Sequence, residues 1–185
     1  MNEIVCCYKN NGDACDIDEC DYIQIKLLGT LAKESNICML ISKNSLGLVS
    51  NFKWYLGKSG YPFTYQSSDG KMKFGRGLKI HKMLRPDSPS GMVVDHINRD
   101  KLDNRYENLR ICTPAENSYN KTKLKTSKNK YKGIKKINKN TWAATITKDN
   151  KKVEIGGFLD EKSAAHTYDM MAEELFGNFS AKNFN

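Results

Sequence analysis

The chain opens with no basic stretch leading into an apolar run, and nowhere does it hold a run approaching the roughly 20 apolar residues of a membrane span. Neither a secretory leader nor a membrane partner is expected, and the protein is expected to be intracellular. Its six cysteines (Cys6, Cys7, Cys15, Cys20, Cys38 and Cys112) contain no C-x2-C pair, the spacing common zinc sites use. With nothing to indicate secretion, reduced thiols are favoured over disulfides. Four of the six crowd into the first twenty residues, where a zinc knot is the rival reading. Net charge is also missing from the first part of the chain. Residues 1–75 carry eight basic and eight acidic side chains, so the whole +9 lies in residues 76–185. A surplus gathered in one part of a soluble chain is the footprint of a surface that meets a polyanion, nucleic acid first among them, although a solubilising lysine surface looks the same by charge alone.

A length of 185 residues suits one ordinary domain or two small ones. Residues 1–38 show weak periodicity, apart from the alternation of Tyr22 to Leu27, and no function can be read there. From Ile37 to Lys82, strand-like runs (Cys38 to Ser42, Leu46 to Ser50, Tyr61 to Gln66, Met72 to Phe74) are separated by turn residues such as Ser68-Asp69-Gly70. Arg85 to Gly91, with two prolines and a glycine, is a loop. Nine lysines lie between Lys121 and Lys139, and the first part of that stretch reads as a linker. Three strands are predicted beyond it, over Tyr131 to Ile137, Thr141 to Lys148 and Lys152 to Phe158. A helix follows, N-capped by Asp160, stopped by Gly177, with Ala164, Ala165, Tyr168, Ala172, Leu175 and Phe176 on one face. The expected organisation is an N-terminal segment (1–38), a central domain (39–120), a lysine-rich linker (121–129) and a C-terminal domain (130–185).

Chemistry is proposed by one stretch. Met92 to Ile97 reads as a strand and Arg110 to Thr113 as its antiparallel return. Thr113-Pro114-Ala115-Glu116 then starts a helix, with threonine as N-cap, proline at N1 and glutamate closing a capping box. A hairpin packed on that helix brings Asp95 and Asn117 together as oxygen ligands for a hard divalent cation, Mg2+ or Mn2+, with positions left for water and phosphate. His96, one residue from Asp95 and so on the other side of the strand, is free for a separate task. A neutral imidazole near pH 7 suits the activation of water, and a metal suits the departing 3′ oxygen, as phosphodiester hydrolysis requires. Asn108, between the strands, is placed to bond backbone on both sides and hold the loop shut.

Asp95-His96, Asn108-Leu109 and Glu116-Asn117 together resemble the HNH endonucleases, in the His-Asn-Asn variant of phage and intron-associated homing enzymes. Lys53-Trp54-Tyr55-Leu56, Gly60-Tyr61 and Ile80-His81-Lys82 resemble their lead-in, with Lys82 where the family often has arginine. The resemblance implies an α+β fold in which a small antiparallel sheet leads into a ββα-metal (His-Me finger) motif. It implies metal ligation by Asp95 and Asn117, His96 as general base and Asn108 as loop brace. His81 is placed either at the scissile phosphate or in the packing of the lead-in, and Arg105 joins it as a phosphate contact.

In the C-terminal part, alternation puts Trp142, Ala144 and Ile146 against the helix, buries Val153 and Ile155, and leaves a polar, basic sheet face suited to a major groove. Tyr131-Lys132-Gly133-Ile134, Trp142-Ala143-Ala144, Ile155-Gly156-Gly157-Phe158, Ala164-Ala165, Tyr168-Asp169, Phe176-Gly177 and Asn183-Phe184 resemble the Apetala-two (ethylene-response-factor) DNA-binding domain. That family implies a three-stranded antiparallel sheet on one helix. It also implies DNA contacts at Lys132, Lys135, Lys139, Thr145, Thr147, Lys152, Glu154 and Tyr168. The leading expectation is a metal-dependent endonuclease acting on double-stranded DNA, nicking as a monomer or cutting both strands as a homodimer. Rivals are a non-catalytic DNA-binding transcriptional regulator on a degenerate nuclease fold, and a structure-specific or RNA-directed nuclease.

Overall fold

A computed structural model describes residues 3–10, 12–33, 36–65, 77–123, 127 and 129–184. It is a mixed α+β structure of several small sheets and few helices, which divides into two compact units, residues 1–112 and 113–185.

The first unit is organised by apolar alternation. In β2 (Tyr22–Lys26) and β3 (Cys38–Ser42) every second residue turns inward, so Ile23, Ile25, Met39 and Ile41 are buried, while β1 (Ile4–Tyr8) is an edge strand with no buried residue. These strands pair antiparallel, and β8 (Asp103–Asn104) adds in parallel beside β3 to give the order β1-β2-β3-β8. Residues before Leu40 therefore share a sheet with residues of the central motif. Trp54 closes the core, its ring fully buried and its indole N–H donating to the Val49 carbonyl at 2.9 Å. A single-turn helix, α1 (Thr30–Lys33), precedes β3, and Leu46 to Ser50, read as a strand, is instead a short helix, α2 (Leu46–Val49), after a 3-10 turn. Leu46 and Val49, three apart, pack into the core while Leu48 is exposed, so the apolar spacing that decides is helical.

A second sheet joins β4 (Tyr55–Leu56), β5 (Pro62–Thr64) and β6 (Leu78–Lys79) and runs directly into α3 (Ile80–Leu84). The strand expected over Met72 to Phe74 and the turn at Ser68 to Gly70 lie outside the described residues. The antiparallel pair β7 (Val93–His96) and β9 (Leu109–Cys112) ends the unit, with Asp95 opposite Arg110 and His96 opposite Leu109.

The second unit begins with α4 (Pro114–Tyr119). Its Thr113 oxygen accepts from the Glu116 N–H, and the Glu116 carboxylate accepts from the Thr113 N–H, which forms the capping box. Strands β10 (Ile134–Lys136), β11 (Trp142–Lys148) and β12 (Lys151–Phe158) form an antiparallel sheet, and α5 (Glu161–Phe176) packs on it. Strand β10 is shorter than the expected Tyr131 to Ile137. Asp160 caps α5 through the Ser163 N–H, and Ala144, Ile146, Tyr168 and Ala172 form its core. A bulge at Gly157, where φ is +91°, turns Phe158 back to that core beside Trp142.

Val153 and Ile155, expected to be buried, are 46% and 44% exposed. They lie opposite Ile146 and Ala144, and so on the helix side, but β12 is an edge strand. A helix about 10 Å across spans roughly two strands at about 4.8 Å spacing, and α5 lies mainly over β11. Among the described residues no helix is long and apolar enough to cross a membrane.

Candidate active site

The parallel pairing of β8 with β3 determines what surrounds His96. It pins residues 102–104 to the central sheet, with the Leu40 N–H donating to the Leu102 carbonyl and Asn104 opposite Ile41. Asn104 is fully buried and its amide nitrogen donates to the Lys101 and Leu102 carbonyls, both at 3.1 Å. Its oxygen must therefore be the atom 3.1 Å from His96 Nε2, which makes that nitrogen the N–H donor. In the neutral ring the lone pair then belongs to Nδ1. Burial holds the His96 pKa below the ordinary 6.5, against the opposing influence of the Asn104 bond and of Asp95, Asp100 and Asp103. A neutral imidazole of fixed tautomer, buried at 4% exposure, has the form a general base needs.

Asn108 closes the loop between the strands. Its oxygen accepts from the Asn98 N–H at 3.0 Å, and its nitrogen donates to the Asp103 carbonyl at 2.7 Å and to Asn98 Oδ1 at 2.9 Å. The Asp103 carboxylate in turn takes Asn98 Nδ2 and a two-pronged grip from Arg105 at 2.8 Å on each oxygen. Burial works against Asp103 ionising, but the Arg105 fork and the other hydrogen bonds prevail and keep its pKa below the usual carboxylate range. Arg105 also lies over the Tyr22 ring. The Arg105 fork, expected at a phosphate, here braces Asp103.

Asp95 is buried, and Arg110 holds it from the opposing strand through Nε and Nη2, at 3.0 and 2.9 Å from Oδ2. Among the described residues no group of three or more His, Cys, Asp or Glu side chains is placed to hold a metal ion. A single carboxylate of this kind fits Mg2+, which keeps several waters and relies on one or two carboxylates plus substrate phosphates. Asn117, half-buried, is on α4 of the second unit, where the Tyr119 ring stacks on Phe176 at 3.8 Å.

His81 lies inside, 4% exposed, its ring 5.0 Å from that of Tyr61 and edge-on to His96 at 5.2 Å. Its buried Nδ1 has no hydrogen-bond partner among the described residues. Burial, helped by the charge on His96, Lys79 and Lys82, pushes its pKa down to about 3. Such a histidine takes its proton more readily in the unfolded chain. Its contribution to stability is therefore complete above pH 6.5, falls as acid is added, and stops falling only near pH 3. The loss is about 1.4 kcal/mol per pH unit within that window. Urea unfolding at pH 7.5 and pH 5 is expected to show a larger loss for the native chain than for His81→Phe; equal losses would refute the assignment.

In the second unit, Lys135, Lys139, Thr147, Lys152 and Glu154 are exposed, and Glu154 lies between Lys152 at 2.7 Å and Lys135 at 3.8 Å. Three of the expected DNA contacts are placed otherwise. Tyr168 is core, 3% exposed beneath Gly133; Thr145 is half-buried and bonded to the Gly133 carbonyl; Lys132 donates to the Tyr119 and Lys121 carbonyls. The six cysteines are free thiols. Sequence reasoning missed Asn104, Asn98 and Asp103, took Tyr61 only as part of the lead-in, and gave Arg110 no part in holding Asp95. Only the hairpin register, which sets Arg110 across from Asp95, offered a signal for one of them.

Residues 79–119 match the family model of the HNH endonucleases. The chain is 44% identical over 143 residues to an uncharacterized HNH endonuclease of Acanthamoeba polyphaga mimivirus, covering 77% of this chain and 73% of that protein. It is 30% identical over 80 residues to protein 3.8 of Escherichia phage T7, covering 41% of this chain and 64% of that one. A prophage-derived protein of Bacillus subtilis, named for the HNH homing endonucleases, is 39% identical over 49 residues, 24% of this chain and 28% of its own. No solved structure matches the chain.

Proposed function

The chain belongs to the HNH endonuclease family and is a DNA endonuclease, and from that premise we propose a metal-dependent enzyme of the homing type that hydrolyses phosphodiester bonds of double-stranded DNA. The observation that supports this most is the buried His96, its Nε2 proton directed at Asn104, beside the Asp95 carboxylate.

In this reading His96 Nδ1 takes a proton from the attacking water. The imidazolium so formed keeps its Nε2–H bond to Asn104, and the charges of Asp95, Asp100 and Asp103 favour it. Asn108, with Asn98 and Asp103, keeps the loop from opening around the base. Asp95, together with Asn117 by the family pattern, would hold Mg2+ or Mn2+. Such an ion, when bound, stabilises negative charge on the phosphate and on the departing 3′ oxygen. Arg110 fixes the orientation of the Asp95 carboxylate. One such site cuts one strand, so a monomer nicks and a double-strand break takes two copies.

The C-terminal module selects the target, on this proposal, through the sheet face that resembles the Apetala-two domain. Its contacts are Lys135, Lys139, Thr147, Lys152 and Glu154, and the division into 39–120, a linker at 121–129 and 130–185 is retained with it. Lysines at these positions grip phosphates more than they specify bases.

Incubation with supercoiled plasmid is the test. Nicking is expected with Mg2+ or Mn2+, none with EDTA, and recovery when the metal is restored. Asp95→Asn should abolish it. Alanine there is a poorer probe, because it removes the oxygen that accepts from the largely buried Arg110, whereas asparagine keeps an acceptor. Nicking that persists in EDTA would overturn the metal dependence. A plasmid left intact in both metals would favour the non-catalytic DNA-binding regulator.

A further inference from the structure

Tyr61 precedes β5, and its half-buried ring lies 5.0 Å from His81 and 5.9 Å from His96. Two ammonium groups converge on this one ring. Lys79, from β6, is 4.4 Å from its centroid, and Lys101, from the loop after His96, is 4.5 Å from it. Lys101 is held there by a 2.8 Å bond from its Nζ to the Ser59 carbonyl. Among the described residues neither lysine forms an ion pair. The arrangement thus gathers two like charges on a ring that lies 5.9 Å from that of His96, a base that must work next to a phosphate. Behind them is His81, 4% exposed, whose Nδ1 has no partner among the described residues.

Cation–π contact explains each lysine singly. Two on the same ring also concentrate positive charge at one place. An anion is the ligand such a concentration of charge attracts, and the anion this neighbourhood meets is the phosphodiester backbone. We propose that Lys79 and Lys101, set against the Tyr61 ring, form a phosphate clamp that positions the DNA backbone at His96. Ammonium groups act here as point charges on the non-bridging oxygens, with no demand for the two-pronged geometry of arginine. The clamp supplies alignment; the proton transfer remains with His96, and the proposal rests on that reading of the site.

Its test separates binding from cleavage. In a His96→Ala background without metal, affinity for a short fluorescein-labelled duplex is followed by anisotropy as KCl is raised. Removing one ammonium that neutralises a phosphate should reduce the slope of log K against log salt by about one. Lys79→Met and Lys101→Met are each expected to do so, the pair by about two, while Lys→Arg at either position keeps the slope. In the chain with His96 intact, the methionine variants should raise KM for plasmid nicking more than they lower kcat. A purely structural role would instead lower the melting temperature and leave the salt slope unchanged, which overturns the clamp. Should the double variant fail to fold, Lys101→Met alone decides, since its side chain is exposed. If the native chain does not nick at all, the nuclease reading fails, yet the slope still reports on the clamp.

Discussion

His96→Ala is expected to lower plasmid nicking by about 10²- to 10⁴-fold, the range that a positioned general base contributes, with DNA affinity nearly unchanged. Imidazole added to the buffer should restore part of the lost rate, because the variant leaves a space the size of the missing ring beside otherwise intact groups. Asn104→Leu makes the complementary test. It keeps the volume but removes the acceptor that fixes the Nε2 proton, so the ring loses both its orientation and the partner that stabilises its charged form. By analogy with residues that orient metal-bound histidines, about 10- to 100-fold in kcat is expected to go, with KM held and no rescue by imidazole. The acidic limb of the pH–rate profile reads the same chemistry. Burial holds the His96 pKa below 6.5, so the active neutral form persists below that pH and the rate falls only under further acid. With Asn104 gone, one influence that raises this pKa is removed and the limb should move lower still. Nicking by His96→Ala at the native rate would end the proposed mechanism.

What could be read from the sequence was local in origin. The start of α4 is legible because Thr113 and Glu116 satisfy each other's backbone within one turn, and the caps of α5 at Asp160 and Gly177 work in the same way. Alternation located β11, while β7 and β9 were legible as short strands without it, since adjacent Asp95 and His96 are both buried. What escaped depends on contacts distant in the chain. Leu46 to Val49 alternates on paper, yet the core below it takes residues three apart. Val153 and Ile155 have the pattern of buried residues, but the width of one helix decides which strands it covers. Asn104 looks like one more polar loop residue. It acquires a role only because a parallel bridge to β3 carries it into the interior, where its amide has no water and must bond to Lys101, Leu102 and His96. The same holds for Arg105, whose charge suggested phosphate and whose fork is occupied by Asp103.

Gly133→Ala should unfold the C-terminal sheet. The glycine has φ +70°, where a side chain costs about 1–2 kcal/mol, and a β-carbon built there would lie 1.9 Å from Tyr168 Cδ2 and 2.0 Å from Cε2. Neither side can yield easily. The Tyr168 ring is 3% exposed and packed with Ala144, Ile146 and Ala172, and the backbone at Gly133 is tied by its carbonyl to the Thr145 N–H at 2.7 Å. Overpacking of this kind costs about 1–3 kcal/mol, so the combined loss is roughly 2–5 kcal/mol, a large part of what holds a small module together. Gly157→Ala is the control: φ is +91° there too, but nothing lies within 4 Å of the added carbon, so only backbone strain is introduced. Thermal melts and proteolysis after residue 130 should therefore show a modest shift for Gly157→Ala and loss of the folded sheet for Gly133→Ala. In that variant nicking of random plasmid should outlast recognition of a preferred site, if the sheet selects the target and His96 does the cutting. Equal melting of the two variants would mean that the Tyr168 ring moves aside, and that Gly133 is present for its backbone conformation alone.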